Sequence, residues 1–251
     1  MGNVSFTSGQ IDNSPLVVPV TLTIGAVIDS LVSAATFQLN GANAVGSIAT
    51  IFGENLSALT IPATTPLPTK LGGVSVTVGG IDAPLYYVSP TQINLQLPYG
   101  LKPGINPFVL KSGGSTGNST VRVAASAPGI FLIGKYGAAI NPDGSVNGPE
   151  HGAPVGGYVS LYMTGQGDVD PPVAAGAVSP SDPLSYVKDQ QVTALIGGLN
   201  AEVLFAGLAP GLVGALQVNL RVPDLPTGDY LVKVTIGSAT SNAPLLRVVK
   251  Q

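Results

Sequence analysis

The chain repeats itself over a distance close to the length of a small domain. Residues 76–98 read VTVGGIDAPLYYVSPTQINLQLP, and residues 194–223 read ALIGGLNAEVLFAGLAPGLVGALQVNLRVP. Each copy is preceded by a similar strand-and-turn sequence, GSIATIFG at 46–53 and GYVSLYMTG at 157–165. A repeat of this length predicts two tandem modules rather than one large catalytic fold. Tandem modules are typical of a scaffold, a stalk or an adhesive protein.

The second copy of the repeat is longer than the first. Gly197 follows Gly79 by 118 positions, whereas Gln217 follows Gln92 by 125 positions, so seven residues are inserted between these points. Each copy contains a Gly-Gly pair, at 79–80 and 197–198. Such a pair suits a tight hairpin, because glycine adopts positive φ without steric cost.

The hydrophobic pattern predicts strands. The chain has 251 residues, 45% of them hydrophobic and only 9% charged, with 33 Gly and 22 Pro. Its apolar residues come in runs of about four to eight, broken by Gly, Pro, Asn and Ser, which is the pattern of β-strands. No run approaches the roughly 18 uninterrupted apolar residues of a membrane-spanning helix. We therefore expect an all-β protein without a membrane span.

The strand that carries the QIN or QVN motif alternates in both copies. Ile93, Leu95 and Leu97 alternate with polar residues, and 218–222 follows the same order. A period of two places the apolar set on one face of a sheet, towards a core. Asn94 and Asn219 either point outwards or hold the backbone of a neighbouring loop.

Charge and cysteine content exclude several functions. The net charge is −3, and the 10 Lys and Arg residues are scattered. Nucleic-acid binding requires clustered cations, so we expect no nucleic-acid partner. The absence of cysteine excludes disulfides, a thiolate nucleophile and a zinc–thiolate site. Low charge with many Ser, Thr and Asn residues is typical of bacterial secreted surface modules, and we expect an extracellular or cell-surface location.

The first 25 residues are expected to form a β arm. Two strand-like runs, 4–7 and 16–24, flank a turn sequence at 12–15, and Pro19 favours an edge position because it cannot donate to a ladder. The arm is either the tail of a preceding module in a longer protein or a segment that packs elsewhere. It pairs within the chain, adding a strand to the first module, or crosses to a neighbour, as in a strand-exchanged fibre.

The remainder divides into two modules, 26–127 and 128–251. Strands are predicted near 47–52, 74–78, 85–88, 93–97, 107–111 and 119–123, and near 159–163, 191–196, 201–205, 216–222, 230–236 and 244–249. Strands joined by short turns without helices predict two tandem Ig-like antiparallel β-sandwiches. The junction is expected near Ala127. Because residues 130–133 read IFLI, which is strongly apolar for a linker, we expect a short, packed junction.

Several stretches resemble a known family. They are VSPTQINLQLPYGL at 88–101, LFAGLAPGLVGALQVNLRVP at 204–223, APGIF at 127–131, NPDGS at 141–145 and VSLYMTG at 159–165. The chain is similar over roughly 26–249 to the Solibacter uncharacterised C-terminal domain, a pair of Ig-like modules related to the IPT/TIG type and found at the ends of large secreted bacterial proteins. The resemblance implies extracellular placement and an accessory, non-catalytic role. It implies no catalytic residues.

Two features bear on catalysis. Residues 113–117 read GGSTG, which matches the G-x-S-x-G pattern of a nucleophile elbow, but Ser115 lies between two strand-like runs with no helix following. We interpret the segment as a hairpin loop. His151, the single histidine, lies in a turn sequence with nothing to orient it as a base. We predict no catalytic residue, and therefore no enzyme.

One loop offers oxygen atoms suited to calcium. Residues 141–147 read NPDGSVN, and Asp168 and Asp170 follow downstream. Calcium binds six to eight such oxygens, but this order is also ordinary turn chemistry. The turn is the favoured interpretation, so no metal and no cofactor is predicted, and calcium at 141–147 stays open.

The eight tyrosines, with no tryptophan, bear on sugar binding. Tyr86 and Tyr87 are adjacent in a strand and so face opposite sides of a sheet. Tyr99, Tyr136 and Tyr186 lie in turn-like sequence and are candidates for exposure. The expected function is that of a non-enzymatic spacer, adhesion or assembly unit, partnered by other modules or neighbouring subunits. The alternatives are a carbohydrate-binding accessory domain with a surface glycan as partner, and a fibre subunit.

Overall fold

The computed structural model describes residues 25–250 and the backbone of two N-terminal strands, β1 (Gly2–Phe6) and β2 (Leu16–Val20). These strands pair antiparallel, with Gly2 opposite Val20, and form a two-stranded sheet. The expectation that the arm adds a strand to the first module is therefore wrong for its described part. Pairing β2 with its near neighbour closes a short loop, which costs less entropy than pairing with a distant edge. The rest of the predicted arm lies outside the described residues.

The first sandwich contains eleven strands in two sheets. They are β3 (Val27–Ser33), β4 (Asn43–Ala44), β5 (Ile48–Glu54), β6 (Ile61–Pro62), β7 (Lys70–Leu71), β8 (Val74–Val78), β9 (Ile81–Asp82), β10 (Leu85–Val88), β11 (Gln92–Gln96), β12 (Gly104–Ser112) and β13 (Ser115–Ala124). One sheet has the order β3-β5-β11-β10-β6, and the other has the order β4-β13-β12-β8-β7, with β9 paired to β8.

The second sandwich is built in the same way. Its strands are β14 (Gly129–Ile130), β15 (Leu132–Ile133), β16 (Tyr136–Gly137), β17 (Ala139–Ile140), β18 (Ala153–Pro154), β19 (Tyr158–Thr164), β20 (Val169–Asp170), β21 (Tyr186–Val187), β22 (Val192–Ile196), β23 (Leu199–Ala201), β24 (Val203–Leu208), β25 (Leu216–Arg221), β26 (Gly228–Ile236), β27 (Ala239–Thr240) and β28 (Leu245–Val249). The two sheets run β14-β19-β25-β24-β21-β20 and β15-β16-β28-β26-β22-β23.

Both sandwiches have the strand order of an immunoglobulin constant domain. If the seven main strands of each are lettered A to G in chain order, one sheet reads A-B-E-D and the other G-F-C. In the first sandwich these are β3-β5-β11-β10 and β13-β12-β8, and in the second β14-β19-β25-β24 and β28-β26-β22. The predicted all-β fold of tandem Ig-like sandwiches is confirmed by this topology. Among the described residues, no helix is long and apolar enough to cross a membrane.

Each sandwich encloses its own hydrophobic core between the two sheets. In the first, the inward side chains of β11, Ile93 and Leu95, are fully buried, as is Leu97 just beyond it. In the second, Val218 and Leu220 of β25 are fully buried in the equivalent positions. The predicted alternation of this strand is thus confirmed in both copies.

The paired glycines form equivalent turns. Gly79 and Gly80 (φ +56° and +82°) join β8 to β9, and Gly197 and Gly198 (φ +60° and +83°) join β22 to β23. Both positive values are those that a two-residue hairpin of type I′ requires. The predicted equivalence of the two glycine pairs is confirmed.

The sequence pattern does not predict strand β3. Its burial alternates poorly, and its pairing with β5 shifts register between Ile28 and Ser30, so that Asp29 is left without a partner in the ladder. A bulge of this kind interrupts the period of two on which strand prediction depends.

Candidate functional site

The two candidates for catalysis, Ser115 and His151, lie in or beside ordinary turns. Gly113 and Gly114 form a two-residue turn with positive φ, and Ser115 follows as the first residue of β13, opposite Ser112. The predicted hairpin is confirmed. His151 is exposed, in a turn closed by backbone hydrogen bonds with Gly148.

The candidate calcium loop uses its oxygen atoms internally. Asn147 Nδ2 donates to Asn141 Oδ1 at 2.9 Å, and Asn147 Oδ1 accepts from the backbone N–H of Arg247 at 2.9 Å. Asp143 Oδ1 accepts from both the backbone and the hydroxyl of Ser145, and these bonds lower the pKa of Asp143. The loop therefore fastens itself to strand β28. The described residues contain no cluster of three His, Cys, Asp or Glu side chains suited to a metal ion.

The three tyrosines expected to be exposed differ in burial. Tyr136 is buried, and its hydroxyl donates to Asp229 Oδ2 at 2.9 Å; burial and this bond raise its pKa. Tyr99 is largely buried against Gly46, and burial raises its pKa to about 12. Only Tyr186 matches the expectation, with 49% of its surface exposed.

A polar junction joins the two sandwiches. Gln96, at the end of β11, is 2% exposed. Its Nε2 donates to the carbonyl of Gly46 in its own sandwich at 3.1 Å, and its Oε1 accepts from the backbone N–H of Gly176 in the other at 2.7 Å. The carbonyl of Gly176 in turn accepts from the backbone N–H of Leu67 at 2.8 Å. A loop of the second sandwich is therefore bonded to the first through both its donor and its acceptor.

Strand β19 contributes a second set of contacts. Thr164 is fully buried at its end, and its hydroxyl accepts from the backbone N–H of Ile48 at 2.8 Å while donating to the carbonyl of Gly214 at 3.2 Å. Gln166 is also fully buried, and its Nε2 lies 3.4 Å from the Gly46 carbonyl. The Oε1 of Gln166 and the hydroxyl of Tyr99 are buried without a hydrogen-bond partner among the described residues.

The insertion in the second repeat forms part of this junction. Residues 89–91 join β10 to β11, whereas the longer segment 209–215 joins β24 to β25. The Tyr86 hydroxyl of the first sandwich donates to the Val213 carbonyl in that segment at 2.6 Å. Gly214 (φ +56°) lies so close that a Cβ atom would be 2.7 Å from the carbonyl of Gly46. The longer segment 209–215 thus seats the second sandwich on the first.

The junction is packed, as predicted, but not by the predicted residues. Ile130 is buried in the core of the second sandwich, whereas Leu132 and Ile133 are half exposed. The connecting segment is held instead by polar bonds: Ser126 Oγ donates to the Ile236 carbonyl at 2.8 Å, and the Ala127 N–H donates to the Gly165 carbonyl at 2.8 Å. The apolar residues at 130–133 lie in and between the first two strands of the second sandwich and not in the linker.

The first sandwich contacts the second through one end of its A-B-E-D sheet, and the equivalent surface of the second sandwich is exposed. Arg221 occupies the position of Gln96 and donates from Nη1 to the Gly156 carbonyl at 3.3 Å, as Gln96 does to Gly46. Gln96 and Gly46 are buried, whereas Arg221 and Gly156 are exposed. The outer face of the A-B-E-D sheet is therefore partly covered in the first sandwich and uncovered at this end of the second.

That outer face in the second sandwich gathers aromatic and amide side chains. Cross-strand pairs place Tyr158 opposite Arg221 and Tyr162 opposite Gln217. On the other side of β25, Asn219 is opposite Phe205. Because directly opposite side chains lie on the same face, and the intervening residues point into the core, these side chains all face outwards. We call the surface formed by these outward side chains the aromatic–amide face. It consists of Tyr158, Tyr162, Tyr186, Phe205, Gln217, Asn219 and Arg221.

The repeated Gln-x-Asn motif has one structural role in both copies. Gln92 Nε2 donates to Asn94 Oδ1 at 2.8 Å, and Gln217 Nε2 donates to Asn219 Oδ1 at 2.9 Å. Each pair is two residues apart on one strand and therefore shares one face of the sheet. The outward orientation, one of two alternatives left open by the sequence, is correct.

No protein-family model and no curated protein sequence matches this chain, but solved structures of similar architecture do. One is SGBP-B of the Bacteroides ovatus mixed-linkage glucan utilization locus, in complex with a mixed-linkage heptasaccharide (13% identity, TM-score 0.37, covering 83% of this chain and 43% of that chain). Others are domains 5–6 of the S-layer protein SbsC (14% identity, TM-score 0.27, 90% and 99%) and tandem immunoglobulin domains of titin (8%, 0.23, 83% and 90%). The chain spans less than half the length of the first of these.

Proposed function

We propose that the chain is a non-enzymatic, extracellular spacer unit: two Ig-like sandwiches held as one rigid body within a longer surface or secreted protein. The junction carries this proposal. Gln96, Thr164 and Gln166 are buried there, and each bonds across the boundary between the sandwiches. A flexible tether would leave such groups in water. Membership of the Solibacter-type C-terminal family, with its IPT/TIG-like modules, is part of the same proposal.

The polar character of the junction favours a fixed angle over a merely close approach. Hydrogen bonds are directional, and breaking one buried pair leaves a donor or acceptor without a partner, at a cost of about 1–3 kcal/mol. The bonds from Gly176 to Gln96 and from Tyr86 to Val213 lie on different loops. Rotation about the linker would have to break both.

Small-angle X-ray scattering of the full chain tests the proposal. We expect the curve computed from this single arrangement of sandwiches to fit the measured curve. If the unaltered chain already requires an ensemble of orientations, the rigid spacer is wrong.

Carbohydrate binding is a second candidate function, favoured by one observation. Tyr186 is 49% exposed, and its ring lies 5.4 Å from that of Phe205 on the outer face of a sheet. Phe205 is half-buried, so the pair presents one exposed ring supported by a second. Such a pair is suited to the apolar face of a sugar ring, and a surface glycan is then the partner.

A further inference from the structure

We propose that the aromatic–amide face of the second sandwich binds an uncharged oligosaccharide. This inference rests on the second candidate function, carbohydrate binding, and assigns it a place and a ligand class. Three properties of the face support it: exposed aromatic surface on both sides, free hydrogen-bonding capacity between them, and a charge balance that disfavours anions.

The aromatic side chains form two borders. Tyr158 and Tyr162 lie four residues apart on β19, and Tyr186 and Phe205 lie on the far side of β25. Tyr162 and Tyr186 belong to one row across the sheet, because Gln217 is opposite both Tyr162 and Gly207, and Gly207 is opposite Tyr186. With strands about 4.8 Å apart, the borders are separated by about 14 Å. This footprint suits a short oligosaccharide rather than a single sugar.

The space between the borders is kept shallow by glycine. Gly207 carries no side chain, and a Cβ atom there would lie 2.3 Å from the carbonyl oxygen of Ser185 and 2.8 Å from Cζ of Phe205, so the neighbouring backbone and the phenyl ring both lie close over it. Tyr186 then contacts the edge of that ring at an interplanar angle of 63°. The two rings offer an apolar surface beside the amide row.

The amide row retains unused hydrogen-bonding groups. Gln217 Nε2 donates to Asn219 Oδ1, which leaves Gln217 Oε1 as an acceptor and Asn219 Nδ2 as a donor without partners among the described residues. Both side chains are only partly buried. A pyranose presents apolar C–H faces and a rim of hydroxyl groups, so the rings and the amides match its two kinds of surface.

The charges on the face favour a neutral ligand. Arg221 Nε donates to Glu202 Oε2 at 2.7 Å, and these opposite charges balance each other. Asp170 lies opposite Tyr186 at the edge of the same row and is exposed. Its carboxylate accepts hydroxyl hydrogen bonds but repels phosphate, sulfate and uronate groups.

The cleft between the sandwiches is a weaker candidate for the same ligand. Its lining is small and polar, with Ser33, Thr36, Ser126, Gln190 and Asn242 among its residues, and no aromatic side chain borders it. A sugar there would lack an apolar surface on which to stack.

Affinity electrophoresis of the full chain through gels containing soluble β-glucan, xylan or galactomannan tests the inference, with alginate as the anionic control. We expect retardation by at least one neutral polymer and none by alginate. Tyr158→Ala and Tyr186→Ala should each weaken binding about tenfold, the value of one lost aromatic contact. Phe37→Ala is the matched control, because Phe37 is an exposed aromatic residue (54%) of the first sandwich and should leave binding unchanged.

The outcomes separate the site from the function. If the unaltered chain is retarded by none of the polymers, carbohydrate binding itself fails. Circular dichroism first shows that Tyr158→Ala and Tyr186→Ala are folded. If both variants then bind a polymer as well as the unaltered chain does, the chain binds carbohydrate but this face is not the site. Concentration-dependent association in sedimentation that Tyr158→Ala abolishes would show that a second copy covers the face, and would also overturn the proposal.

Discussion

Replacing Gln96 with leucine should weaken the junction without disturbing either core. Gln96, a residue that is 2% exposed, bonds the two sandwiches through its side-chain amide. Leucine is similar in size but can neither accept from the Gly176 N–H nor donate to the Gly46 carbonyl. The Gly176 N–H is then buried without a partner.

The loss of stability in Gln96→Leu can be estimated from these contacts. An unpaired buried donor costs about 1–3 kcal/mol. The Gly46 carbonyl still accepts from Gln166 Nε2 at 3.4 Å, so losing the Gln96 donor adds little to this cost. We expect Gln96→Leu to lower the free energy of unfolding by about 1–3 kcal/mol, which lowers Tm by roughly 2–4 °C per kcal/mol.

Calorimetry and urea unfolding measure this change, and Gln92→Leu is the control. Gln92 lies on the same face of the same strand, but among the described residues its side-chain amide bonds only Asn94, within the first sandwich. We expect Gln92→Leu to change stability by less than about 0.5 kcal/mol. If the two variants unfold at the same temperature and urea concentration, the junction does not couple the sandwiches and the reasoning is wrong.

Three further predictions address the loops, cores and buried phenols. Gly214→Ala should destabilise the protein more than Gly211→Ala in chemical denaturation, because both residues have positive φ but only at Gly214 would a Cβ meet the first sandwich; equal losses would contradict this. Leu95→Ala and Leu220→Ala, both at fully buried positions, should each cost about 2–5 kcal/mol in urea unfolding, and a loss below 1 kcal/mol at either would contradict their equivalence. Burial raises the pKa of Tyr99 to about 12, so the tyrosine ionises at lower pH in the unfolded chain than in the folded one. The free energy of unfolding should therefore fall between about pH 10 and pH 12, and Tyr99→Phe should reduce that fall in unfolding measured against pH. An unchanged fall would contradict the burial of this hydroxyl.

Local patterns in the sequence are sufficient to predict most of the longer strands. The alternation at Ile93 and Leu95 and the turn at Gly79 and Gly80 depend on neighbouring residues alone, and the structure confirms both. The strands at Val74–Val78 and Leu85–Val88 begin and end where the pattern predicts. The sequence does not predict strand β3, because the bulge in this strand interrupts the alternation.

The junction and the aromatic–amide face depend on contacts between distant residues. Gln96 and Gly176 are 80 positions apart, and no local pattern relates them. The insertion is visible in the sequence, but the sequence does not show that Val213 contacts Tyr86. Tyr186 and Tyr162 share a row only through the register of the strands between them. Turn-like sequence was a poor guide to exposure, since Tyr136 is tied to Asp229 and buried.

The distance between the two sandwiches tests the central claim most directly. The chain has no cysteine, so Thr120→Cys and Lys233→Cys place unique spin labels at exposed positions of the first and second sandwich. Double electron–electron resonance should give one narrow distance distribution, unchanged between low and high salt. A broad distribution, or several distances, would contradict a rigid two-sandwich unit.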